Sequence, residues 1–249
     1  MNLKIDGKVA VITGAGKGIG RACALAFAAE GTNLGLNDLD EESGLKVVEE
    51  AKALGVDAVF IKGNVSDEED MKQLFKEVYD HYGHIDILIN NAGISPKLPW
   101  TDVTVEQFKQ VIDINLLSDF ICSKEAFKYM KDNGWGRIVN LSSLAGLEGG
   151  INSGIHYASS KAAIIGITKT LARHMGPYNI NVNCVAPGRI DTAMTRMLSK
   201  EKLDEVLSRI PLKRLGTVEE VANVILFLAS EGGSYITGTC VEILGGYRG

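Results

Sequence analysis

Short apolar runs alternate along the whole chain of 249 residues with segments in which apolar residues recur at helical spacing. The apolar runs start at Val9, Leu34, Ala58, Ile85, Arg137, Ile180 and Thr239. The helical segments cover Ile19–Ala29, Leu45–Leu54, Asp67–Tyr82, Val105–Leu117 with an extension toward Met130, Ile155–Met175 and Val218–Ala229. Strands separated by helices pair in parallel, and the helices cover both faces of the sheet. We therefore predict an α/β fold that is doubly wound around a seven-stranded parallel sheet.

Composition and chain organisation place these segments in one globular domain. Hydrophobic residues make up 45% and charged residues 23% of the chain, which are globular proportions. Neither an internal repeat nor a low-complexity linker divides the chain, so we predict a single domain over residues 1–249. The net charge of -5 argues against a nucleic-acid partner.

Further features of the sequence favour a cytoplasmic protein. The N-terminal residues lack the apolar core of a signal peptide, and the longest apolar runs are too short to cross a bilayer. The cysteines are scattered and form no CxxC pair: Cys23, Cys122, Cys184 and Cys240. We therefore expect reduced thiols, no metal site and no membrane partner.

A glycine-rich turn, Thr13–Gly20, lies between the first predicted strand and the first predicted helix. Glycine lets the backbone turn sharply and approach a ligand, and the free N–H groups of the following helix attract a pyrophosphate. The spacing is G-x-x-x-G-x-G, carried by Gly14, Gly18 and Gly20, and Ile19 stands where the G-x-G-x-x-G fingerprint has its third glycine. A purely structural tight turn is the competing interpretation. The position between strand and helix nevertheless favours a Rossmann-type dinucleotide-binding domain.

Asp38 closes the second predicted strand, eighteen residues after Gly20. An acid at this place accepts hydrogen bonds from the ribose hydroxyls of adenosine and repels a 2′-phosphate, so we expect NAD(H). In the alternative interpretation, Asp38 is solvated together with the acidic run that follows it. Lys17 in the glycine turn points the other way, because a cation there could meet a 2′-phosphate. NADP(H) therefore stays open.

Tyr157 and Lys161 lie four residues apart in a predicted helix and therefore share one face. A free tyrosine titrates at about pH 10, and a neighbouring ammonium favours the phenolate, which brings such a phenol toward neutral pH. By itself this spacing also fits an ordinary surface pair. Here Ser142 and Ser143 end the preceding strand, at the edge where open α/β sheets bind ligands. The combination predicts an acid–base site at that edge.

Taken together, these motifs resemble those of the short-chain dehydrogenases/reductases, over nearly the whole chain. The resemblance rests, in chain order, on Thr13 to Gly20, Asn90-Asn91-Ala92-Gly93, Asn115, Ser143, Tyr157, Lys161 and Pro187-Gly188. It implies an NAD(P)-dependent oxidoreductase that interconverts a secondary alcohol and a ketone. The tail segments Arg214-Leu215-Gly216 and Tyr235-Ile236-Thr237-Gly238 are similar to those of the 3-oxoacyl-[acyl-carrier-protein] reductase subgroup.

The resemblance also implies a role for each catalytic position. Tyr157 exchanges the proton with the substrate oxygen, Lys161 tunes the tyrosine and binds the nicotinamide ribose, Ser143 polarises the substrate oxygen, and Asn115 holds a water that links Lys161 to solvent. The implied cofactor contacts are Gly14, Lys17, Gly18, Ile19, Gly20, Asp38, Asn64, Val65, Asn91, Ala92, Gly93, Tyr157, Lys161, Pro187, Gly188, Ile190 and Thr192. Asn64 departs from the family, in which Asp is commoner. The family further implies a homotetramer built through the two long helices and the C-terminal strand.

One spacing departs from the family pattern, because fourteen residues separate Ser143 from Tyr157 where thirteen is common. We expect the glycine-rich stretch between them to absorb the extra residue in a loop. The departure leaves open whether Ser142 or Ser143 points into the site.

The substrate is the least constrained feature of the sequence. The reductase subgroup usually prefers NADPH and docks an acidic carrier protein on basic residues, whereas this chain has Asp38 and, at the corresponding docking places, Gly134 and Tyr178. We therefore expect an NAD-linked dehydrogenase of a small polyol, sugar, hydroxy acid or steroid. A 3-oxoacyl-[acyl-carrier-protein] reductase is the alternative. A non-catalytic cofactor-binding sensor is a remote one, because both Tyr157 and Lys161 are present.

The walls of the substrate pocket are expected from residues 94–100, 144–156 and 191–214. Lys97, His156 and Arg189 could pair with an anionic substrate, and ordinary solvated charges are the alternative interpretation. An apolar lid is expected from Met194, Met197 and Leu198, with packing against the sheet as the alternative.

Overall fold

The computed structural model describes residues 3–150, 154–192, 195 and 199–247. Within these ranges the strands are β1 Val9–Thr13, β2 Asn33–Asp38, β3 Ala58–Lys62, β4 Ile87–Asn90, β5 Gly136–Leu141, β6 Ile180–Pro187 and β7 Cys240–Ile243. They pair in parallel in the order β3-β2-β1-β4-β5-β6-β7. The predicted seven-stranded parallel sheet is confirmed.

Helices connect these strands. The described α-helices are α1 Gly18–Ala29, α2 Glu41–Ala53, α3 Glu68–Tyr82, α4 Val105–Ile112, α5 Ser118–Asn133, α6 Leu144–Glu148, α7 Ile155–Met175, α8 Lys200–Arg209 and α9 Val218–Leu228. Short 3₁₀ turns cover Trp100–Asp102, Gly176–Tyr178 and Glu231–Gly233. Among the described residues, no helix combines the length and the hydropathy that a membrane span requires.

The side chains of β1 divide between the two faces of the sheet, as the two-residue period of a strand requires. Ala10 and Ile12 enter the core beneath α1, α2 and α9, whereas Val9 and Val11 enter the core beneath α3, α5 and α7. The sheet is therefore covered on both faces. The chain winds outward from β1 in both directions, which makes the carboxyl edge between β1 and β4 the topological switch point where such folds bind ligands.

Capping side chains fix the ends of several helices. Asp67 precedes α3 and accepts hydrogen bonds from the N–H groups of Glu69 and Asp70, at 2.9 and 3.1 Å. Gly83, with φ +79°, ends the same helix. Thr217 precedes α9 and forms a capping box with a glutamate in the first turn. Because these signals are local, the predicted bounds of α3 and α9 differ from the observed ones by a single residue.

A π-helical turn, Asp113–Leu117, joins α4 to α5 in one continuous helix. The predicted extension of this helix beyond Leu117 is confirmed. A π turn accommodates one extra residue and is frequent at functional sites. Here it contains Asn115, whose side chain is fully buried.

Two of the described helices were not predicted from the sequence. The first is α6, which occupies part of the glycine-rich stretch, and Ser143 caps it by accepting a hydrogen bond from the Ala145 N–H at 3.2 Å. It is too short to show a helical period. The second is α8, whose apolar residues Leu203, Val206 and Leu207 recur at helical spacing but are only half-buried.

A buried carboxylate, Asp86, ties the amino edge of the sheet together. It accepts hydrogen bonds from the Val9 N–H at 2.9 Å and from Lys8 Nζ at 3.0 Å, and it lies 3.3 Å from His84 Nε2. Lys8 Nζ also lies 4.2 Å from the centroid of the Trp135 ring. Asp86 thus satisfies a strand N–H and a cation at the same point.

Replacing Asp86 by alanine should lower the free energy of unfolding by about 3 kcal/mol, because the Val9 N–H and the Lys8 ammonium lose their acceptor. Asp80→Ala is the matched control, since Asp80 forms an exposed i,i+4 pair with Lys76, and solvent-exposed pairs contribute little to stability. Urea unfolding followed by circular dichroism measures both changes. Equal losses in the two variants would contradict the role given to Asp86.

Candidate active site

The predicted site residues gather along the carboxyl edge of the sheet, beside the switch point. The glycine turn follows β1, Asn91–Gly93 follow β4, Ser142 and Ser143 follow β5, and Pro187 closes β6. Residues distant in sequence meet there because the strands are parallel and end at the same edge.

The glycine turn is packed too tightly for side chains at two of its three motif glycines. Gly14 has φ +61°, and a Cβ on it would lie 2.9 Å from the Cα of Ala92. A Cβ on Gly20 would lie 2.1 Å from the carbonyl oxygen of Gly14. Gly18, with φ +56°, has open space around it and is favoured by its backbone conformation alone. Bare backbone therefore forms the cradle at the start of α1, which fits a pyrophosphate.

Asn91 holds this turn against the end of β4. Its Nδ2 donates to the carbonyl oxygens of Thr13 and Gly14, at 3.0 and 2.9 Å. The backbone N–H groups of Asn91 and Ala92 both donate to the Thr13 hydroxyl, at 3.1 and 3.2 Å. Thr13 is therefore a supporting residue of the site whose hydroxyl the sequence analysis did not single out.

The carboxylate of Asp38 is engaged within the protein. Its two oxygens accept hydrogen bonds from the N–H groups of Gly16 and Asp40, at 2.8 and 3.0 Å. Lys17 pairs with Asp40 at 2.6 Å on the exposed side of the turn. This ammonium and the Ser43 hydroxyl lower the pKa of Asp40 to about 2. Asp38 thus shapes the glycine turn irrespective of any ribose, so its presence does not by itself discriminate between NAD and NADP.

Asn64 and Val65 follow β3 at the same edge. The exposed side chain of Asn64 accepts hydrogen bonds from the N–H and hydroxyl of Ser66, at 3.1 and 2.9 Å. The backbone N–H of Asn64 donates to Asp70 at 2.8 Å, and Val65 is buried. An aspartate could accept the same hydrogen bonds, so Asn64 preserves this turn despite departing from the commoner family residue.

Lys161 is a buried cation next to Tyr157. Its Nζ donates to the carbonyl oxygen of Leu141 at 2.6 Å and lies 5.8 Å from the centroid of the Tyr157 ring. Burial strengthens the field of the ammonium because little water screens it. Tyr157 is only half-buried, so a ligand can approach its ring. A phenol beside a dehydrated ammonium is well suited to proton exchange.

Asn115 projects from the π turn toward this pair. Its Oδ1 accepts a hydrogen bond from the Ile94 N–H at 2.8 Å, and its Nδ2 donates to the Ile94 carbonyl and to Ser160 Oγ, at 2.9 and 3.1 Å. A Cβ on Gly93 would lie 3.2 Å from Asn115 Oδ1 and 3.5 Å from Lys161 Nζ. The amide and the ammonium therefore flank the same glycine.

The two serines after β5 face different surroundings. Ser142 is buried, and its hydroxyl donates to the carbonyl oxygen of Lys161 at 2.7 Å. Ser143 is half-buried at the start of α6 and lies on the open edge. Of the two, Ser143 is the one accessible to a substrate.

The segment after β6 runs along the far side of the site. The N–H of Gly188 donates to the Ile243 carbonyl at 3.0 Å. Ile190 is buried and forms a parallel bridge with Gly216. Thr192 is half-buried. One strip that starts at the end of β6 therefore contains the predicted contacts Pro187, Gly188, Ile190 and Thr192. Met194, Met197 and Leu198, the expected lid, lie outside the described residues.

The three cationic candidates for the substrate pocket differ in exposure. Lys97 is exposed and Arg189 is half-buried. His156 is fully buried, its Nδ1 accepts a hydrogen bond from the Tyr157 N–H at 2.9 Å, and its Nε2 has no hydrogen-bond partner in the described part of the chain. The interpretation of His156 as a solvated charge is therefore wrong.

Comparison with known proteins agrees with this geometry. A family model described as Enoyl-(Acyl carrier protein) reductase matches residues 14–248. The 3-oxoacyl-[acyl-carrier-protein] reductase FabG of Aquifex aeolicus is 40% identical over 247 residues, which cover 99% of each chain. FabG of Thermotoga maritima is 43% identical over 247 residues, 98% of this chain and 99% of that protein. The crystal structure of 3-oxoacyl-[acyl-carrier protein] reductase from Brucella melitensis superposes with a TM-score of 0.90 at 37% identity, covering 99% of this chain and 94% of that one.

The fold and the site are those of a nicotinamide-dependent oxidoreductase. The chain belongs to the short-chain dehydrogenase/reductase family, with relatives that match it over nearly its full length. It is therefore an enzyme of the class that acts on alcohols and ketones, and the remote interpretation as a non-catalytic sensor is set aside.

Two expectations change with these relatives. The expected preference for NAD(H) is contradicted, because the relatives are 3-oxoacyl-[acyl-carrier-protein] reductases, the subgroup whose resemblance implies NADPH. The physical reason is that Asp38 is a structural acceptor of the glycine turn. The relatives also support the alternative substrate class better than a polyol, sugar, hydroxy acid or steroid.

Gly20→Ala should lower the free energy of unfolding by about 2 kcal/mol, because the added methyl group overlaps the Gly14 carbonyl. Gly18→Ala is the matched control, since the same methyl group there meets open space and costs only left-handed strain, about 1 kcal/mol. Urea unfolding of both variants tests the packing of the turn. A smaller loss in Gly20→Ala than in Gly18→Ala would count against it.

Proposed function

We propose that this chain reduces the ketone of a 3-oxoacyl group, carried as a thioester on acyl carrier protein, with NADPH as reductant. The observation that carries the proposal is the buried Lys161 ammonium beside the half-buried Tyr157 phenol. The substrate class is supported by the full-length relatives, which bear this activity in their names.

Tyr157 acts as the general acid in this proposal. When a ketone becomes an alcohol, its oxygen gains negative charge and needs a proton. Tyr157 donates that proton, and the Lys161 ammonium stabilises the phenolate left behind. Because Lys161 is held by Leu141, its charge is in place before the reaction begins.

Ser143 and Asn115 complete the proposed site. The Ser143 hydroxyl lies on the open edge and can donate to the same substrate oxygen, which holds the ketone near Tyr157. Asn115 holds α7 through Ser160 and the loop after β4 through Ile94. It thereby maintains the distance between the two elements that enclose the substrate.

The glycine turn would hold the cofactor, with the pyrophosphate over the bare backbone of Gly14, Gly18 and Gly20. When bound, the nicotinamide supplies the hydride. Lys17 stands on the exposed side of the turn, near Asp38 at the end of β2, and its ammonium can pair with a 2′-phosphate. Asp38, Asn64 and Val65 would line the adenosine side.

The carrier protein would dock differently from the pattern that the resemblance implies. Gly134 ends α5 with φ +63°, and Tyr178 packs edge-on against Phe127. Neither offers the cation expected there for an acidic carrier. An assay that compares a carrier-bound thioester with a small free thioester therefore measures how much the carrier contributes.

The homotetramer implied by the resemblance stays a prediction. Leu117 and Phe120 are exposed apolar side chains on the long helix that would form the interface. Their exposure supports assembly through this helix.

Tyr157→Phe should lower kcat for reduction of a 3-oxoacyl thioester by a factor of about 100 to 10,000, because the general acid is lost. The Kd for NADPH, measured by fluorescence titration, should change little. Tyr235→Phe, which alters a fully exposed ring, is the matched control and should keep wild-type kcat. Turnover retained in Tyr157→Phe would rule out the proposed acid.

The cofactor assignment predicts that NADPH binds more tightly than NADH, and that Lys17→Ala weakens NADPH about tenfold without affecting NADH. Lys52→Ala, at the exposed far end of α2, removes a similar charge away from the turn and should affect neither cofactor. Fluorescence titrations of both cofactors against all three proteins test this. Tighter binding of NADH to the wild-type protein would contradict the assignment.

A further inference from the structure

One face of the long helix buries a column of polar side chains against α7. Asn115, Asp119 and Ser123 follow one another at intervals of four residues, so they share this face. All three are buried. An apolar face would be expected here, because α5 packs against the sheet on its way past α7.

Two chains of hydrogen bonds connect this column to α7. Near its start, Asn115 Nδ2 donates to Ser160 Oγ at 3.1 Å. Near its end, Asn90 Nδ2 donates to Ser123 Oγ at 3.3 Å and to Asn140 Oδ1 at 2.8 Å, and so connects the two residues.

The second connection continues to α7, where Asn140 Nδ2 donates to Thr168 Oγ1 at 2.9 Å. Asp119 lies midway between Asn115 and Ser123, and Lys161 lies between Ser160 and Thr168. The two connections therefore place Asp119 opposite the part of α7 that carries Lys161.

Asp119 is a buried carboxyl group with one oxygen that the described part of the chain leaves unsatisfied. The residue is 3% exposed, and its Oδ2 has no hydrogen-bond partner within the described residues. Burial raises the pKa of Asp119 to about 8, although the Lys161 ammonium and Ser118 act in the opposite direction. At pH 7 the group is therefore mostly neutral, and the charge of Lys161 is not cancelled.

We propose that Asp119 is a positioning residue that controls how much of the Lys161 charge reaches Tyr157, and so sets the pH range of the reductase. This inference rests on the proposed role of Tyr157 as general acid. With Asp119 neutral, the full field of Lys161 favours the phenolate. When Asp119 ionises at higher pH, its negative charge opposes the field of Lys161 at the Tyr157 oxygen.

Lys161 is the cation that acts on Asp119. The buried Glu125, which pairs with Lys128, is a further acidic group on the same helix. On its own helix Asp119 lies near Cys122, and burial raises the pKa of that thiol. β4 and β5 present the neutral amides Asn90 and Asn140, and α3 adds apolar side chains to the same core. On β6, Asp119 also acts on the buried thiol of Cys184, whose pKa is raised by the hydrogen bond that it donates to Cys240 and by burial.

The test is the pH dependence of kcat/KM for ketone reduction in Asp119→Asn, which keeps the shape of the side chain but cannot ionise. The falling limb at high pH should move about one unit lower than in the wild-type protein, because the carboxylate that opposes the Lys161 field at high pH is absent. Asp132→Asn removes an exposed carboxyl from the same helix and should leave the profile unchanged. A purely structural role would change thermal stability and not the midpoint, so an unchanged midpoint in Asp119→Asn overturns the inference.

A second measurement does not depend on turnover. The infrared carbonyl band of a protonated carboxylic acid should be present at pH 7 in the wild-type protein and in Asp132→Asn, and absent in Asp119→Asn. If Asp119→Asn and the wild-type protein give the same spectrum in this region, Asp119 is ionised at pH 7 and the inference is overturned. The general-acid proposal fails separately, through turnover in Tyr157→Phe, whatever the infrared spectra show.

Discussion

The hydrogen bond from Lys161 Nζ to the Leu141 carbonyl oxygen is the contact on which the site depends. A buried ammonium is tolerated only where polar groups replace the water it has lost. This requirement holds α7 against the end of β5, and α7 then carries Tyr157 to the same edge. The neighbouring Ser142 reinforces the arrangement by donating to the carbonyl oxygen of Lys161. Strand and helix are thus locked at the place where chemistry is proposed.

Most of the fold could be predicted because its signals are local or periodic. The seven apolar runs were short and separated by helical segments, and a parallel sheet is the arrangement that satisfies such an alternation. The elements that were not predicted give weaker signals. Leu144–Glu148 is shorter than two helical periods, Lys200–Arg209 has only three spaced apolar residues, all half-buried, and the π turn at Asp113–Leu117 differs from an α-helix by about one residue per turn.

The site was predictable in its residues but less so in what each residue contacts. Asp38 suggested a ribose, whereas two backbone N–H groups that bind it become visible only in three dimensions. Asp119 gave no signal, because a charged residue in an amphipathic helix is ordinarily assigned to solvent. The alternative interpretation of His156 as a solvated charge was wrong for the same reason, because the side chain is fully buried. Burial of polar groups depends on tertiary packing, and hydrophobic periodicity does not report it.

The amino edge of the sheet contributes to stability, whereas the carboxyl edge carries the proposed chemistry. Asp86 and its partners anchor the amino edge, whereas Lys161 and the glycine turn occupy the carboxyl edge. Substitutions that alter the loops around the substrate therefore leave the amino-edge anchor intact, and their stability effects should be largely additive with changes there. Because the two functions are separated, the loops at the carboxyl edge can change to accept other ketones while the contacts at the amino edge keep the fold stable.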